Sequence, residues 1–342
     1  MTRTANLQAV AERAGVSVSL VSRILSGDDA VRARPETRER VRAAARELGY
    51  RPHGAARALR LAKAGALGLV VHDMSNPIHA EIIRGAQAAA TARGQVLLLS
   101  DAAQLAGNPD AFAQLVGPGR IDGLLWQGSG ESYDDELTAR AAEHLPTLLV
   151  NSRSRAGVPA LRLDDERAAR LAVRHLVDLG HRDIAYLGGR PGADLTERRH
   201  AGYVTELATH GIPVRGEWTV EREWDAPAGY AGMTELLSER PLPTAVFVAN
   251  VVVAVGALAA AREAGVRVPE DLSVVAVHDA WFVAHGAPPL TTVRLPLGRL
   301  GETAVAMLLD GDESRAGGGL VIDTPAPELL VRGSTHTYEG AR

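Results

Sequence analysis

The sequence predicts an α/β protein with a small helical head at its N-terminus. Three observations predict it. From Leu67 onward, short apolar runs alternate with helical stretches. Before Leu67 there are helix-forming segments and no strand-like run. The charge also changes sign: residues 1–63 hold 13 Lys+Arg against 6 Asp+Glu, while the remainder holds 24 against 35. A basic head on an acidic body suggests a head that meets a polyanion and a body that does not.

The head reads as follows. Leu7, Val10, Ala11 and Ala14 share one face of a first short helix. Gly15 suits the left-handed backbone at a helix end. Ser17 is a natural N-cap for a second helix, in which Leu20, Val21, Ile24 and Leu25 fall in one arc and Ser19, Ser22 and Arg23 in the other, with Val18 at its edge. Two short helices around a tight glycine turn describe a helix-turn-helix, whose second helix enters a DNA major groove. An ordinary helical hairpin would show the same stripes; the basic charge of the head favours DNA. Pro35 opens a third helix that runs to Leu48, and Gly49 stops it. The segment Pro52–Lys63 is short and arginine-bearing, and read alone it is a plain linker.

In the body the apolar runs are Leu67–Val71, Val96–Leu99, Ile121–Trp126, Thr147–Val150, Asp183–Leu187, Thr244–Ala249 and Leu272–Val277. Near-continuous apolar strands between helices indicate parallel sheets covered on both faces. The length favours two α/β subdomains with a break near Leu163-Asp164. Ligands bind beyond the carboxyl ends of such strands. The polar residues there are Asn76, Gln127, Asn151, Arg190, Asn250 and His278-Asp279. Singly, each reads as a turn residue; repetition at equivalent places favours a binding cleft.

Composition narrows the chemistry. There is no cysteine, which excludes disulfides, thiolate metal sites and thiol nucleophiles. No apolar run approaches a membrane span, and the first residues lack a signal-peptide core. The expectation is a cytoplasmic, nucleoid-associated protein with no membrane partner. No nucleophile motif, phosphate loop or zinc helix is present, and the 11 histidines show no metal-ligand spacing. No catalytic residue, metal or cofactor is expected. His175 and His181 read as helix-end caps, Asp164-Asp165-Glu166 as an acidic helix start, and Leu187–Gly192 as a tight turn beside the cleft.

In this order the parts resemble the LacI/GalR family of bacterial transcriptional regulators. The head carries Ala14-Gly15-Val16-Ser17, Val21-Ser22-Arg23, Pro35-Glu36-Thr37-Arg38 and Glu47-Leu48-Gly49-Tyr50-Arg51-Pro52. The linker carries Ala56-Arg57-Ala58-Leu59. The body carries Ser75-Asn76-Pro77, Ile121-Asp122-Gly123-Leu124, Leu179-Gly180-His181-Arg182, Val268-Pro269-Glu270-Asp271 and Pro289-Leu290-Thr291-Thr292-Val293, and the end carries Pro327–Thr335. The resemblance implies a head over 1–51, a hinge helix and linker over 52–65, and a periplasmic-binding-protein-like core over 66–342. Its N-subdomain would span 66–163 and 293–320, and its C-subdomain 164–292 and 321–336.

The resemblance also implies roles. DNA contacts fall to Ser17, Val18, Ser19, Ser22 and Arg23, with Arg57 and Leu59 in a hinge that folds on the operator and wedges into its minor groove. A small effector, a sugar or sugar derivative, falls to Ile78, His79, Gln127, Asn151, Arg199, Trp224, Asn250 and His278. Three departures mark the pocket: Asn250-Val251 in place of Asn-Asp, Ile78-His79 in place of an aromatic pair, and His278 in place of an Asp. An imidazole there removes a strong hydroxyl acceptor, which points to an anionic or substituted sugar held by Arg199 and His278. The implied function is a repressor, a homodimer on double-stranded, pseudo-palindromic operator DNA, and not an enzyme. The rival readings are a sugar-binding solute receptor and a sugar-processing α/β enzyme. The first calls for a signal peptide and no basic head, the second for a catalytic base and nucleophile.

Overall fold

The computed structural model describes residues 6–25, 31–50, 63–128, 130–155, 157–311 and 319–340. Arg57 and Leu59 of the expected hinge lie outside the described residues. The chain divides into two units, residues 1–65 with 118–122, and residues 66–117 with 123–342.

The first unit holds α1 (Leu7–Ala14), α2 (Val18–Leu25) and α3 (Pro35–Glu47). Asn6 caps α1 by accepting the Ala9 N–H at 2.9 Å. Gly15 ends it at φ 66°, a conformation that costs a glycine little. Ser17 Oγ accepts the Leu20 N–H at 3.3 Å and starts α2. The apolar arcs meet as their spacing dictates: Val10, Ala11, Ala14, Val21, Ile24, Val31, Val41, Ala44, Ala45 and Tyr50 form one core, with Leu7, Leu20 and Leu25 against it. So small a core gains from ties between helices. Arg40 donates to the Ala14 carbonyl at 2.8 Å, and Arg13 pairs with Glu47 at 2.8 Å. Pro118–Asp122 joins this unit because the Asp122 carboxylate accepts the backbone N–H groups of Ala64 and Gly65, at 2.6 and 2.8 Å.

The second unit runs β1 (Ala66–Val71), α4 (His79–Ala92), β2 (Val96–Asp101), α5 (Ala102–Ala106), α6 (Pro109–Val116), β3 (Leu124–Gln127), α7 (Ser132–Ala142), β4 (Thr147–Val150) and β5 (Ala160–Leu163). It continues with α8 (Asp165–Asp178), β6 (Ile184–Gly188), α9 (Asp194–Thr209), β7 (Thr219–Glu221), α10 (Ala226–Ser238), β8 (Ala245–Val248), α11 (Val251–Glu263) and β9 (Ser273–Val277). It ends with β10 (Thr291–Arg294), α12 (Leu297–Asp310), β11 (Leu320–Ile322) and β12 (Glu328–Leu330). Two six-stranded sheets result, ordered β11-β5-β4-β3-β1-β2 and β12-β10-β9-β8-β6-β7. Every pairing is parallel except β10 with β12. Strands β1, β3, β4, β6, β8 and β9 are buried along their whole length, which explains their unbroken apolar runs.

The sheets define two lobes, and the chain passes between them three times. Strand pairing moves two of the expected boundaries. Val293 pairs with Val277 and Leu329 in the second sheet, and Val321 and Ile322 pair with Arg162 and Leu163 in the first. The crossings therefore fall at 164, 295–296 and 323–327, a few residues later than 293 and 320. His175 and His181 do not act as helix caps. His175 Nε2 lies 2.9 Å from Thr335 Oγ1, and His181 bridges Thr244 Oγ1 at 3.0 Å and the His336 carbonyl at 3.2 Å. Both hold the C-terminal tail against the second lobe. Among the described residues no helix is long and apolar enough to cross a membrane.

Candidate DNA-reading face and ligand cleft

In the first unit, burying one stripe of α2 leaves the opposite stripe outward. Ser17, Val18, Ser19 and Arg23 are exposed and Ser22 is half-buried. Val18 is 39% exposed, which leaves its methyls free to meet another surface. Ser17 has a second duty as the α2 cap. The face thus offers hydroxyls, two methyls and a guanidinium, groups suited to phosphates, a thymine methyl and a guanine edge.

In the second unit, a cavity of about 340 Å³ lies between the lobes at the carboxyl ends of the strands. That volume is in the range of small-molecule sites. The first lobe lines it with His72, Asp73 and Asn76 after β1, Ile78, His79 and Ile82, Gln127 and Gly128 at the end of β3, Asp134 and Asp135 of α7, and Asn151 and Ser152 after β4. The second lobe supplies Arg190, Asp194, Leu195, Glu223, Trp224, Asp225, Asn250 and His278. Seven of the eight effector residues read from sequence meet here. Among the described residues, the non-glycine positions with positive φ are Asp73 (58°), Asn151 (54°) and His278 (70°), and all three line the cavity. Strained backbone gathers where a site needs side chains aimed against local preference.

Arg199 is the exception. It is fully buried and does not line the cavity. Its Nε and Nη2 donate to Asp165 Oδ1 at 2.9 and 2.7 Å, and its Nη1 donates to the Ala249 carbonyl. Nη2 also donates to His278 Nε2 at 2.7 Å. Arg198 donates to the other Asp165 oxygen, to Asp194 at 3.1 Å, and to the Leu163 and Asn151 carbonyls at 3.2 and 3.3 Å. Asp165 was read as part of an acidic helix start. The three acids do open the helix, with Asp164 Oδ1 accepting the Arg167 N–H and Asp165 and Glu166 in the first turn of α8, but Asp165 is also fully buried and pairs with both arginines. Burial pulls the Asp165 carboxyl upward, but Arg198 and Arg199 outweigh it and hold it below the usual carboxylate range.

This arrangement argues against the anionic ligand expected from sequence. Arg199 is neutralised beneath the floor. His278 is kept neutral by burial first and by the Arg199 charge second, well below the usual imidazole range. His79 is also pushed down by burial. The remaining cations are spoken for. Arg190 pairs with Glu131 at 2.6 Å across the cleft and with Glu223 at 2.9 Å. Arg155 pairs with Asp135 at 3.5 Å.

Sequence reasoning also placed Asp279 at a strand end facing the cleft. It faces away and binds Arg332 at 2.8 Å and Thr292 Oγ1 at 3.0 Å. The Leu187–Gly192 turn does flank the site. A Cβ at Gly189 would lie 2.2 Å from the Trp224 ring, so only glycine lets that indole lie against the turn. Trp224 also sits 5.8 Å from the Arg199 guanidinium, measured to the ring centroid. Asp134, Asp194, Arg198 and the Arg190–Glu131 bridge were not found from sequence. The one available signal was the adjacent pair Arg198-Arg199 on a helix, which needs a buried acid.

Comparison with known proteins agrees with this geometry. Residues 6–53 match the profile of bacterial regulatory proteins of the lacI family, and residues 173–335 match a periplasmic binding protein-like domain. The HTH-type transcriptional repressor PurR of Erwinia tasmaniensis is 35% identical over 96% of both chains. A LacI family transcriptional regulator from Mycobacterium smegmatis is 39% identical, with a TM-score of 0.73 over 79% of this chain and 99% of that one. The Lac repressor dimer bound to operator and an anti-inducer gives a TM-score of 0.83 at 29% identity, over 98% and 100% of the two chains. A cellobiose complex of the regulator CelR gives 0.71 at 28% identity, over 96% and 99%. The chain belongs to the lacI family of bacterial regulatory proteins. It is a DNA-binding transcriptional regulator, and these relatives are named as regulators and repressors, not enzymes.

Proposed function

We propose that the protein is a dimeric repressor that binds a pseudo-palindromic operator on the chromosome, in the cytoplasm, and is controlled by a small molecule in the cleft. The observation that carries the effector reading is the convergence of strand-end polar residues from both lobes on one cavity. Val18, Ser19 and Arg23 read bases, and Ser17 and Ser22 hold phosphate. Leu59 wedges the operator centre and Arg57 supports the hinge. A ligand touching both lobes favours one lobe arrangement over the other, and so shifts the population competent for DNA. Apolar surface supports self-association: Trp281 is 79% exposed, and edge strand β2 presents Val96, Leu98 and Leu99 at 60, 39 and 39%. Ile78, His79, Gln127, Asn151, Trp224, Asn250 and His278 contact the ligand, a sugar or sugar derivative, and Arg199 acts from beneath.

Fluorescence anisotropy on DNA from upstream of the gene and its neighbours tests this, with a salt series, Leu59→Ala and a compound panel. Tight binding to one fragment, weakened by Leu59→Ala and altered by one compound, is the expected result. Equal, salt-sensitive binding to all fragments would leave only the general phosphate attraction and reject the operator reading.

A further inference from the structure

Asp194 Oδ1 in the cavity wall is buried without a hydrogen bond but ion-pairs with Arg153 Nε at 2.5 Å. Two other buried polar atoms of the cleft lining have no partner at all: Asn151 Oδ1, after β4, and His278 Nδ1, after β9. Their residues are 6% and 2% exposed. Unpaired polar atoms are costly to bury, so each asks for an explanation. A guanidinium only donates, and Arg199 Nη2 faces His278 Nε2 at 2.7 Å. His278 Nε2 must therefore accept, which places the ring proton on Nδ1. The charged or titratable groups acting on this ring are Arg199, Asp165 and His79, and burial dominates them in keeping it neutral. His278, whose ring lines the cavity, thus holds one unpaired donor.

Other floor groups are polarised by the fold in the same way. Asn76 Oδ1 accepts the Ile78 N–H at 3.1 Å, Asn250 Oδ1 accepts the Val252 N–H at 2.6 Å, and Gln127 Oε1 accepts the His72 N–H at 3.3 Å. Each of these cavity-lining amides thus spends its oxygen on the backbone and keeps its NH₂ donors. Charge is consumed internally: Asp165 and Asp194 hold Arg198 and Arg199, and Asp134 accepts the Trp126 indole N–H at 2.9 Å and the Gly130 N–H at 3.1 Å.

We propose that the cleft selects an uncharged ligand that spans the lobes, accepting a hydrogen bond from His278 Nδ1–H and donating one to Asn151 Oδ1. Its buried end carries acceptors in excess, such as a carbonyl, a lactone oxygen or a ring nitrogen beside a hydroxyl or N–H. This deepens the effector reading above and rests on it. His278 and Asn151 are specificity-determining residues, and Arg199 and Asp165 position the first.

The test uses full-length protein with isotope-labelled histidine. Long-range nitrogen–proton spectra report each ring's tautomer, and His278→Asn identifies the His278 signal (asparagine accepts a positive φ). The expected result is a ring that stays neutral, with its proton on Nδ1, well below the ordinary imidazole range. Neutral hexoses, their lactones, purine bases, amino sugars and uronic acids are then titrated. A neutral member is expected to move the His278 signal, and His278→Asp is expected to weaken it on the order of tenfold or more by removing the donor. A ring protonated at Nε2, or titrating near neutrality, overturns the proposal. So does tightest binding by an amino sugar or uronic acid. Failure of every compound to bind, with the Nδ1–H ring observed, would instead remove the effector reading on which the proposal rests.

Discussion

Asp165→Asn is expected to be the most damaging conservative substitution in the second unit. Asp165 is wholly buried, as is Arg199, and Arg198 is 6% exposed. Its two oxygens take donors from both arginines, with the Arg199 contacts at 2.9 and 2.7 Å. Asparagine keeps the volume, so the change reports charge and not a cavity. It leaves Arg198 with Asp194 and strips Arg199 of the carboxylate it is paired with. Breaking one side of a buried ion pair costs about 3–5 kcal/mol, against about 1 kcal/mol or less for a surface pair. At about 2–4 °C per kcal/mol for a unit of this size, Tm falls by about 6–20 °C. Because Arg198 and Arg199 hold this carboxyl below its ordinary value of 3.8, its contribution is complete above that pH. It is lost only as pH falls through the lower folded value, so the deficit should be constant between about pH 5 and 8. Urea and thermal unfolding at several pH values measure it. A loss under about 1 kcal/mol would refute the view that this acid neutralises two buried cations.

Other outcomes follow from single contacts. His181 is lowered from 6.5 to about 4, chiefly by burial. A depressed pKa contributes stability that is full above 6.5 and lost as pH falls toward 4, so acid should cost about 2–3 kcal/mol there; His181→Gln should flatten that part of the unfolding profile. Arg190→Ala removes the bridge from Glu131 to the second lobe and should raise amide hydrogen exchange at Gly130 and Ala193, with about 1 kcal/mol or less at stake. Arg23→Ala should weaken the preferred operator by about 1–3 kcal/mol while changing other DNA much less, read by anisotropy. Trp281→Glu should shift sedimentation toward the monomer, and an unchanged profile would exclude Trp281 from the interface.

Apart from β2, an edge strand whose apolar side chains are largely exposed, the strands that sequence revealed were those buried along their whole length. Leu67–Val71 and Leu272–Val277 can be nothing else at that length. β5, β7, β10, β11 and β12 are three or four residues long, too short to carry a period, and β10 ends in an exposed arginine. The cleft was legible because strand ends in parallel sheets point to one place, and a polar residue after each one marks it. What was not legible was depth. Arg199, inside α9, and Asn250, after β8, were both assigned to the pocket by the family resemblance, yet Asn250 lines the cavity and Arg199 lies buried beneath it. Only the three-dimensional position of Asp165, more than thirty residues from Arg199, decides which.

The same acid also explains how ligand and lobe position become one event. Arg198 and Arg199 share Asp165, and each reaches one of the two unpaired floor residues. Arg198 donates to the Asn151 backbone carbonyl in the first lobe, and Arg199 donates to the His278 ring in the second. Asn151 and His278 are therefore linked through Arg198–Asp165–Arg199 before any ligand arrives. A ligand that joins them from the cavity side closes a ring of contacts around the lobe crossing at 164. It gains its full affinity only when the lobes stand at the spacing that ring permits. On the proposed reading, the differential affinity that population shift requires would originate in these residues. Its signature is non-additivity: Asn151→Ala and His278→Asn together should cost ligand binding less than the sum of the two alone, by about 0.5–3 kcal/mol. Strict additivity would mean that the two lobes read the ligand independently.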